Sequence, residues 1–270
     1  MTETKKIDMK KLGREVRHLV VDMAYKSKTA HIGSAISIAD ILVVLYFKVM
    51  NVDPKKPKDP KRDRFILSKG HGAASLYATM ALRGYFPLKE LEKYRVNKGR
   101  FAGHPCIDST EGIEVSSGSL GHGLPIGTGM ALSIKQNKQK SKVYVLLGDG
   151  ECQEGSNWEA AMFAFTHKLN NLVAIVDENG WQGLGITKEI QARPLELIWK
   201  GFGWNVIKCD GHDVNSLTKA FSLANKSLKP SVIIAKTLTG KNIPLIENTL
   251  RAHYHVIKDE EYADIIKKLK

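Results

Sequence analysis

The sequence has 270 residues, 43% of them hydrophobic and 26% charged, with a formal net charge of +13. That length suits one large domain or two small ones, and the balance excludes disordered and fibrous chains. Cys106, Cys152 and Cys209 are odd in number, widely spaced and without a C-x-x-C pair, which argues against a disulfide framework and a zinc site and leads us to expect a cytoplasmic protein.

The opening Met-Thr-Glu-Thr-Lys-Lys is polar and leads into no apolar leader, and we read no apolar run as long enough to span a membrane. Residues 7–24 carry Ile7, Leu12, Val16, Leu19, Val20 and Met23 at helical spacing. Residues 36–49 predict a second, more buried helix, and the charged, Pro-containing residues 53–64 predict a loop. Residues 65–68 predict a short strand that runs into Gly70-His71-Gly72 and a helix of small residues over 73–83. Residues 143–147 form a continuous apolar, β-rich run ending at Gly148-Asp149-Gly150, and a helix is predicted over 155–168. Residues 172–177 predict another strand, ending at Glu178-Asn179-Gly180. Residues 204–208 and 232–236 predict two more, and residues 259–269 a terminal amphipathic helix. Strands alternating with helices imply an α/β fold with a parallel sheet, and fully apolar strands imply helices on both of its faces. No interior linker is evident, so we expect one domain over residues 1–270.

The lysines spread from residue 5 to residue 270, with modest clusters at 55–61 and 267–270. Without RNP aromatics, a helix-turn-helix signal or a Cys/His finger, we expect a solvated lysine-rich surface and no nucleic-acid partner. The same charge would attract phosphorylated substrates.

In open α/β sheets, ligands bind beyond the carboxyl ends of the strands. Asp149 follows one apolar strand and Asn179 the next, so the two side-chain oxygens converge if those strands are neighbours. A carboxylate, an amide oxygen and a backbone carbonyl suit a hard cation such as Mg2+. Gly148 and Gly150 would leave room for a diphosphate, and the following helix would point free amides at it. A Gly-Asp-Gly triplet alone is usually a turn; the strand before it, the helix after it and Asn179 give it weight.

Gly148-Asp149-Gly150-Glu151-Cys152-Gln153-Glu154-Gly155, then Trp158-Glu159-Ala160, then Asp177-Glu178-Asn179, is similar to the cofactor motif of thiamine diphosphate enzymes. Further segments resemble transketolases in family order from about residue 15 to 255: Ala30-His31-Ile32-Gly33, Leu67-Ser68-Lys69-Gly70-His71-Gly72, Gly103-His104-Pro105, Glu114-Val115-Ser116-Ser117-Gly118-Ser119-Leu120-Gly121, and Lys236-Thr237-Leu238-Thr239-Gly240-Lys241 with Glu247-Asn248 and His253.

The resemblance implies a thiamine diphosphate-binding fold, with Mg2+ held by Asp149, Asn179 and the backbone carbonyl of Trp181. It implies that His71, Gly118, Leu120, Gly148, Gly150, Glu154 and His253 belong to the cofactor side, and that His31, His104 and His253 face the substrate. A lone loop histidine is more often simply solvated, and Glu154 and Glu159 read equally as ordinary helix carboxylates; the resemblance puts Glu154 near a subunit interface. His122 stands where full-length relatives often have Gln, and Ala252 where they often have Trp. Cys152 reads as a small apolar filler.

The family activates its cofactor with a glutamate from a second, pyrimidine-binding domain, and nothing here resembles that domain. The resemblance therefore implies the N-terminal subunit of a split transketolase. Together with a C-terminal subunit it would form a heterotetramer of two chains of each kind, moving a two-carbon ketol unit between sugar phosphates. Two other readings stand beside it: the α subunit of a 2-oxo acid dehydrogenase or another heteromeric thiamine enzyme, and a thiamine diphosphate-binding protein without activity.

Overall fold

The sheet is built from apolar runs that bury both faces. A computed structural model describes residues 7–190 and 194–269; the polar first six residues and the final lysine of the 267–270 cluster lie outside the described residues. In chain order the strands are β1 (Arg64–Leu67), β2 (Val143–Gly148), β3 (Leu172–Glu178), β4 (Trp181–Gln182), β5 (Gly185–Ile186), β6 (Asn205–Asp210) and β7 (Ser231–Lys236). Five of them form one sheet in the order β1-β2-β3-β7-β6, every neighbouring pair parallel. β4 and β5 form a small antiparallel ribbon beside it.

Alternation along each strand sends side chains to opposite faces. Tyr144, Leu146, Val173, Ile175 and Ile233 join one core. Val143, Val145, Leu147, Ala174 and Ile234 join the other. The helices are α1 (Met9–Lys26), α2 (Ile32–Ile36), α3 (Ala39–Val44), α4 (Ala73–Arg83), α5 (Gly123–Gln136), α6 (Gly155–Thr166), α7 (Thr187–Ile190), α8 (Leu195–Gly201), α9 (Val214–Lys226), α10 (Arg251–Tyr254) and α11 (Asp259–Leu269). Residues of α1, α3, α4, α9 and α11 cover the first face, and residues of α5, α6 and α8 cover the second.

Two expectations change. Residues 36–49 are not one helix: α2 ends at Ile36, α3 runs over Ala39–Val44, and Leu45–Val49 close as a π-helical turn. At the break, the Ser37 hydroxyl turns inward and donates to Asp177 at 2.7 Å, with its oxygen 3.1 Å from the Ser34 carbonyl. The stretch Ile32–Val49 is also long and apolar enough, with a mean hydropathy of 1.9, to pass as a membrane span, which corrects our reading that no run was. It is 83% buried within the protein and broken into short pieces, as a core segment would be.

Helix α5 lies close on the sheet because it carries glycines. A Cβ on Gly123 would come 2.4 Å from the Ser68 side chain, and one on Gly127 would come 2.5 Å from Val145. That close approach sets the turn after β1 directly beneath the segment that leads into α5.

Candidate active site

β2 and β3 are neighbours in register, with Gly148 opposite Asp177, so their carboxyl ends emerge side by side. Asp149 and Asn179 therefore converge. Asp149 Oδ2 accepts from the Gly180 amide at 2.8 Å and the Thr187 hydroxyl at 3.0 Å, and Oδ1 accepts from the Gly150 amide at 2.9 Å. Asn179 Nδ2 donates to Asp177 Oδ2 at 2.9 Å, while Asn179 Oδ1 accepts from the Trp181 amide at 2.9 Å. The orientation of the Asn179 amide is thus set by a carboxylate that can only accept.

Asp177 organises this edge, and its sequence context did not single it out. It is fully buried and pairs with the equally buried Lys69. Thr237 donates to its other oxygen, and Ser37 and Asn179 complete its shell. Burial alone would raise its pKa; the Lys69 ammonium together with the donors from Thr237 and Asn179 outweighs that and holds it below the usual value. Asp149 has no such cation. Burial, and then the charge of Asp177, push it up to about 6 despite its three donors.

The Gly148-Asp149-Gly150 turn is held by Glu151, also missed in sequence. Its carboxylate accepts from the Gly148 amide at 3.0 Å, from the Gly121 amide at 2.9 Å and from the Ser68 hydroxyl. The residues after Asp149 form a 3-10 turn, Gly150–Gln153, and α6 starts only at Gly155. The expected helix amides therefore do not follow the triplet directly. The space freed at Gly150 is filled by Gln182, whose side-chain oxygen would lie 2.7 Å from a Cβ there. Gly148 meets nothing closer than 3.9 Å and keeps the freer approach.

A cavity of about 370 Å³ opens above these strand ends. His31, His71, His104, His253, Gly118, Leu120, Gly148, Asp149, Gly150, Asn179 and Trp181 all line it. Three imidazoles cluster there, with ring centroids 4.9 Å apart for His31–His253, 5.9 Å for His31–His71 and 6.2 Å for His71–His253. They come from distant segments joined by the His31 amide, which donates to the His253 carbonyl at 3.1 Å. His104 sits exposed at the rim.

Burial lowers the pKa of all four histidines. His71 is pushed down to about 2, with Lys69 adding to the effect; neighbouring imidazoles or Arg95 add to it at His31, His104 and His253. At neutral pH these rings are uncharged donor–acceptors. His31 Nδ1 is buried without a partner, as is Ser117 Oγ next to Gly118.

Glu154 and Glu159 are exposed and do not line the cavity; Glu154 stands at the N-terminus of α6. His122 is exposed at the start of α5, its Nδ1 3.1 Å from the Leu120 carbonyl, and also lies outside the cavity lining. The Trp181 indole donates to Asn248 at 2.9 Å and so ties the β4–β5 ribbon to the closing segment. Cys152 is fully buried, its thiol raised well above the usual value by that burial.

These residues fit a divalent cation and an anionic cofactor. Asp149 is a buried carboxylate without a counter-charge, and Asn179 turns its oxygen outward from Asp177. Among the described residues no group of three or more His, Cys, Asp or Glu side chains is placed to hold a metal ion by itself. A cation here would need carbonyl, water or ligand oxygens to complete its shell, which is how Mg2+ is usually held. The cavity, lined by His31 with its unpartnered Nδ1, has room and hydrogen-bonding capacity for a ligand.

The sequence pattern of the family described as transketolase, thiamine diphosphate binding domain, matches residues 9–270. The chain is 40% identical over 265 residues to one of the subunits of apulose-4-phosphate transketolase from Actinobacillus succinogenes, covering 97% of this chain and 96% of that protein. It is 37% identical to a 6-deoxy-6-sulfo-D-fructose transketolase subunit of Clostridium sp., with the same coverage of 97% and 96%. Transketolase of Campylobacter jejuni superposes with a TM-score of 0.91 at 32% identity. That match covers 98% of this chain but 43% of the Campylobacter chain, so this chain spans under half the length of that solved transketolase.

The geometry makes the Lys69–Asp177 pair testable. Asp177→Asn leaves the Lys69 ammonium buried and unpaired, a change that typically costs about 3–5 kcal/mol. Urea unfolding should show a loss of that order, whereas an unchanged midpoint would show that the pair holds nothing together. A second prediction concerns acid. The folded pKa of His71, about 2, lies below the ordinary 6.5. Acid therefore protonates the unfolded chain first, and stability is lost as pH falls below about 6.5, by about 1.4 kcal/mol per pH unit for one fully shifted imidazole. The directions at His31, His104 and His253 add to this. Between pH 7 and pH 5, His71→Asn should lose less stability than the unsubstituted chain; parallel losses would refute the assignment.

Proposed function

This chain belongs to the transketolase thiamine diphosphate-binding domain family, and we propose that it is the N-terminal subunit of a split transketolase, transferring a two-carbon ketol unit between sugar phosphates with thiamine diphosphate and Mg2+. One observation carries the reading. The chain accounts for 96% of a related transketolase subunit but 43% of a transketolase chain in one piece, and its cavity gathers the metal-type and histidine groups together.

Asp149, Asn179 and the Trp181 carbonyl would hold Mg2+. His71, Gly118, Leu120, Gly148, Gly150 and His253 would hold the cofactor, with Glu154 acting from the neighbouring surface. Bound thiamine diphosphate supplies the carbanion chemistry that cleaves the C2–C3 bond of a ketose. This chain's part is positional. His31, His104 and His253, neutral at working pH, would hydrogen-bond the hydroxyl and carbonyl oxygens of the sugar and move protons at them. Several neutral imidazoles around one cavity suit a polyol better than a 2-oxo acid, which favours a transketolase over the 2-oxo acid dehydrogenase reading.

The partner would be a C-terminal subunit bringing the pyrimidine-binding glutamate, in an A2B2 heterotetramer with sites at the interfaces. The related subunits carry names that specify apulose 4-phosphate and 6-deoxy-6-sulfo-D-fructose. Ketoses with an anionic group are accordingly the substrate class to test. Three free cysteines suit a reducing, cytoplasmic setting.

Reconstitution tests the proposal. The isolated chain should show no ketol transfer, and adding the product of the neighbouring pyrimidine-domain reading frame should switch on turnover of xylulose 5-phosphate with ribose 5-phosphate, or of apulose 4-phosphate. Robust activity of the isolated chain would overturn the split-site reading. Binding of cofactor without turnover in every mixture would favour a non-catalytic protein. In the reconstituted complex, Asp149→Ala should abolish Mg2+-dependent cofactor binding by calorimetry; unchanged affinity would remove Asp149 from the metal site.

A further inference from the structure

We propose that His212 is a positioning residue of this site: its unprotonated Nε2 anchors the segment that carries Thr239, Thr249 and His253 to the cavity wall. The turn Asp210-Gly211-His212 follows β6 and lies flush against the end of β7. The Gly211 amide donates to the Lys236 carbonyl at 2.8 Å, and a Cβ on Gly211 would come 2.5 Å from Thr237. The His212 amide donates to Asp210 Oδ1 at 2.8 Å, which fixes the turn itself.

The ring is held from both sides. The Leu238 amide donates to Nε2 at 2.9 Å, and Nδ1 lies 2.9 Å from Asp40 Oδ2. A backbone amide can only donate, so Nε2 must be bare; the proton is then on Nδ1 and goes to Asp40. Asp40 is buried and paired with the buried Arg17. The imidazole therefore links the α1–α3 ion pair to the root of the closing segment.

What hangs from that root is the cavity wall. Leu238 sits between Thr237, which donates to Asp177, and Thr239, which lines the cavity. The Asn248 amide returns to the Thr239 carbonyl at 2.9 Å, and the Gly240 amide reaches the Gly33 carbonyl at 3.1 Å. Thr249 and His253 then complete the wall. The charged groups facing His212 are Asp40 from α3, Arg17 from α1, whose guanidinium is 3.4 Å from Nδ1, and Asp210 from its own turn. A proton on Nε2 would set N–H against N–H and release Leu238.

The amide side chains separate the two ring nitrogens as test variants. His212→Gln can place an oxygen near Nε2 and keep Leu238 bound. His212→Asn reaches only the Nδ1 position and loses that acceptor. Hydrogen exchange on the isolated chain at pH 7 should show the protection of Leu238 and neighbouring amides in residues 237–250 reduced about tenfold in His212→Asn, the loss of one hydrogen bond, and retained in His212→Gln. Equal protection in both variants would overturn the proposal. If His212→Asn does not fold, His212→Gln decides alone: loss of Leu238 protection in that variant would overturn the proposal. The catalytic consequence rests on the transketolase reading. In the reconstituted complex, His212→Asn should raise KM for the ketose, and His212→Gln should rescue it. A reconstituted complex with no ketol transfer would refute that reading and leave the exchange result standing.

Discussion

The buried pairing of Asp177 with Lys69 is the constraint on which the rest of the site depends. Two charges withdrawn from water are tolerated only when each is closely matched and its remaining hydrogen-bonding positions are filled. Asp177 meets that condition by drawing donors from four separate places: Ser37 at the α2–α3 break, Lys69 after β1, Asn179 after β3 and Thr237 after β7. Lys69 answers with a second bond, to the Ser34 carbonyl at 3.2 Å. None of these segments can shift without exposing an unmatched charge. The interaction therefore specifies an arrangement more than it adds stability, and the arrangement it specifies is the carboxyl edge of the sheet.

The charge balance of the cavity follows. Lys69 is committed to Asp177, which leaves Asp149 as a buried carboxylate with amide and hydroxyl donors but no cation. The histidines cannot serve as that cation, because burial keeps them neutral. One unmet negative charge beside a ring of neutral donor–acceptors is a place that would suit a hard cation and an oxygen-rich ligand together. Either alone would leave part of the site unsatisfied.

Much of this was legible in the sequence, for reasons that differ by element. β2 and β3 announce themselves because both faces are buried, so their apolar runs are unbroken, and their ends name Asp149 and Asn179 directly. The four cavity histidines were found through resemblance, since Gly- or Pro-flanked histidines by themselves indicate only turns. The break after Ile36 was not legible, because α2 and α3 are buried all round and periodicity carries no signal there. Helix α5 gives little signal because Gly123, Gly127 and Gly129 are poor helix formers, although Gly123 is demanded by close packing on Ser68 and Gly127 by close packing on Val145. Asp177, Lys69 and Glu151 stand inside the motifs that carry the resemblance, but nothing in those motifs gives them a role. Their signal was present: charged side chains abutting apolar runs that the fold must bury need partners, and here they are partly one another's.

The same geometry bears on where a transketolase can be divided. Each strand of the five-stranded sheet finds its neighbours within the chain, and both faces are covered by its own helices. The cavity draws on His31 near one end of the sequence and His253 near the other, joined through a backbone bond between them. A division inside the sheet would cut its ladders and separate groups that must act together. A division outside it would leave all the groups that line the cavity on one intact scaffold.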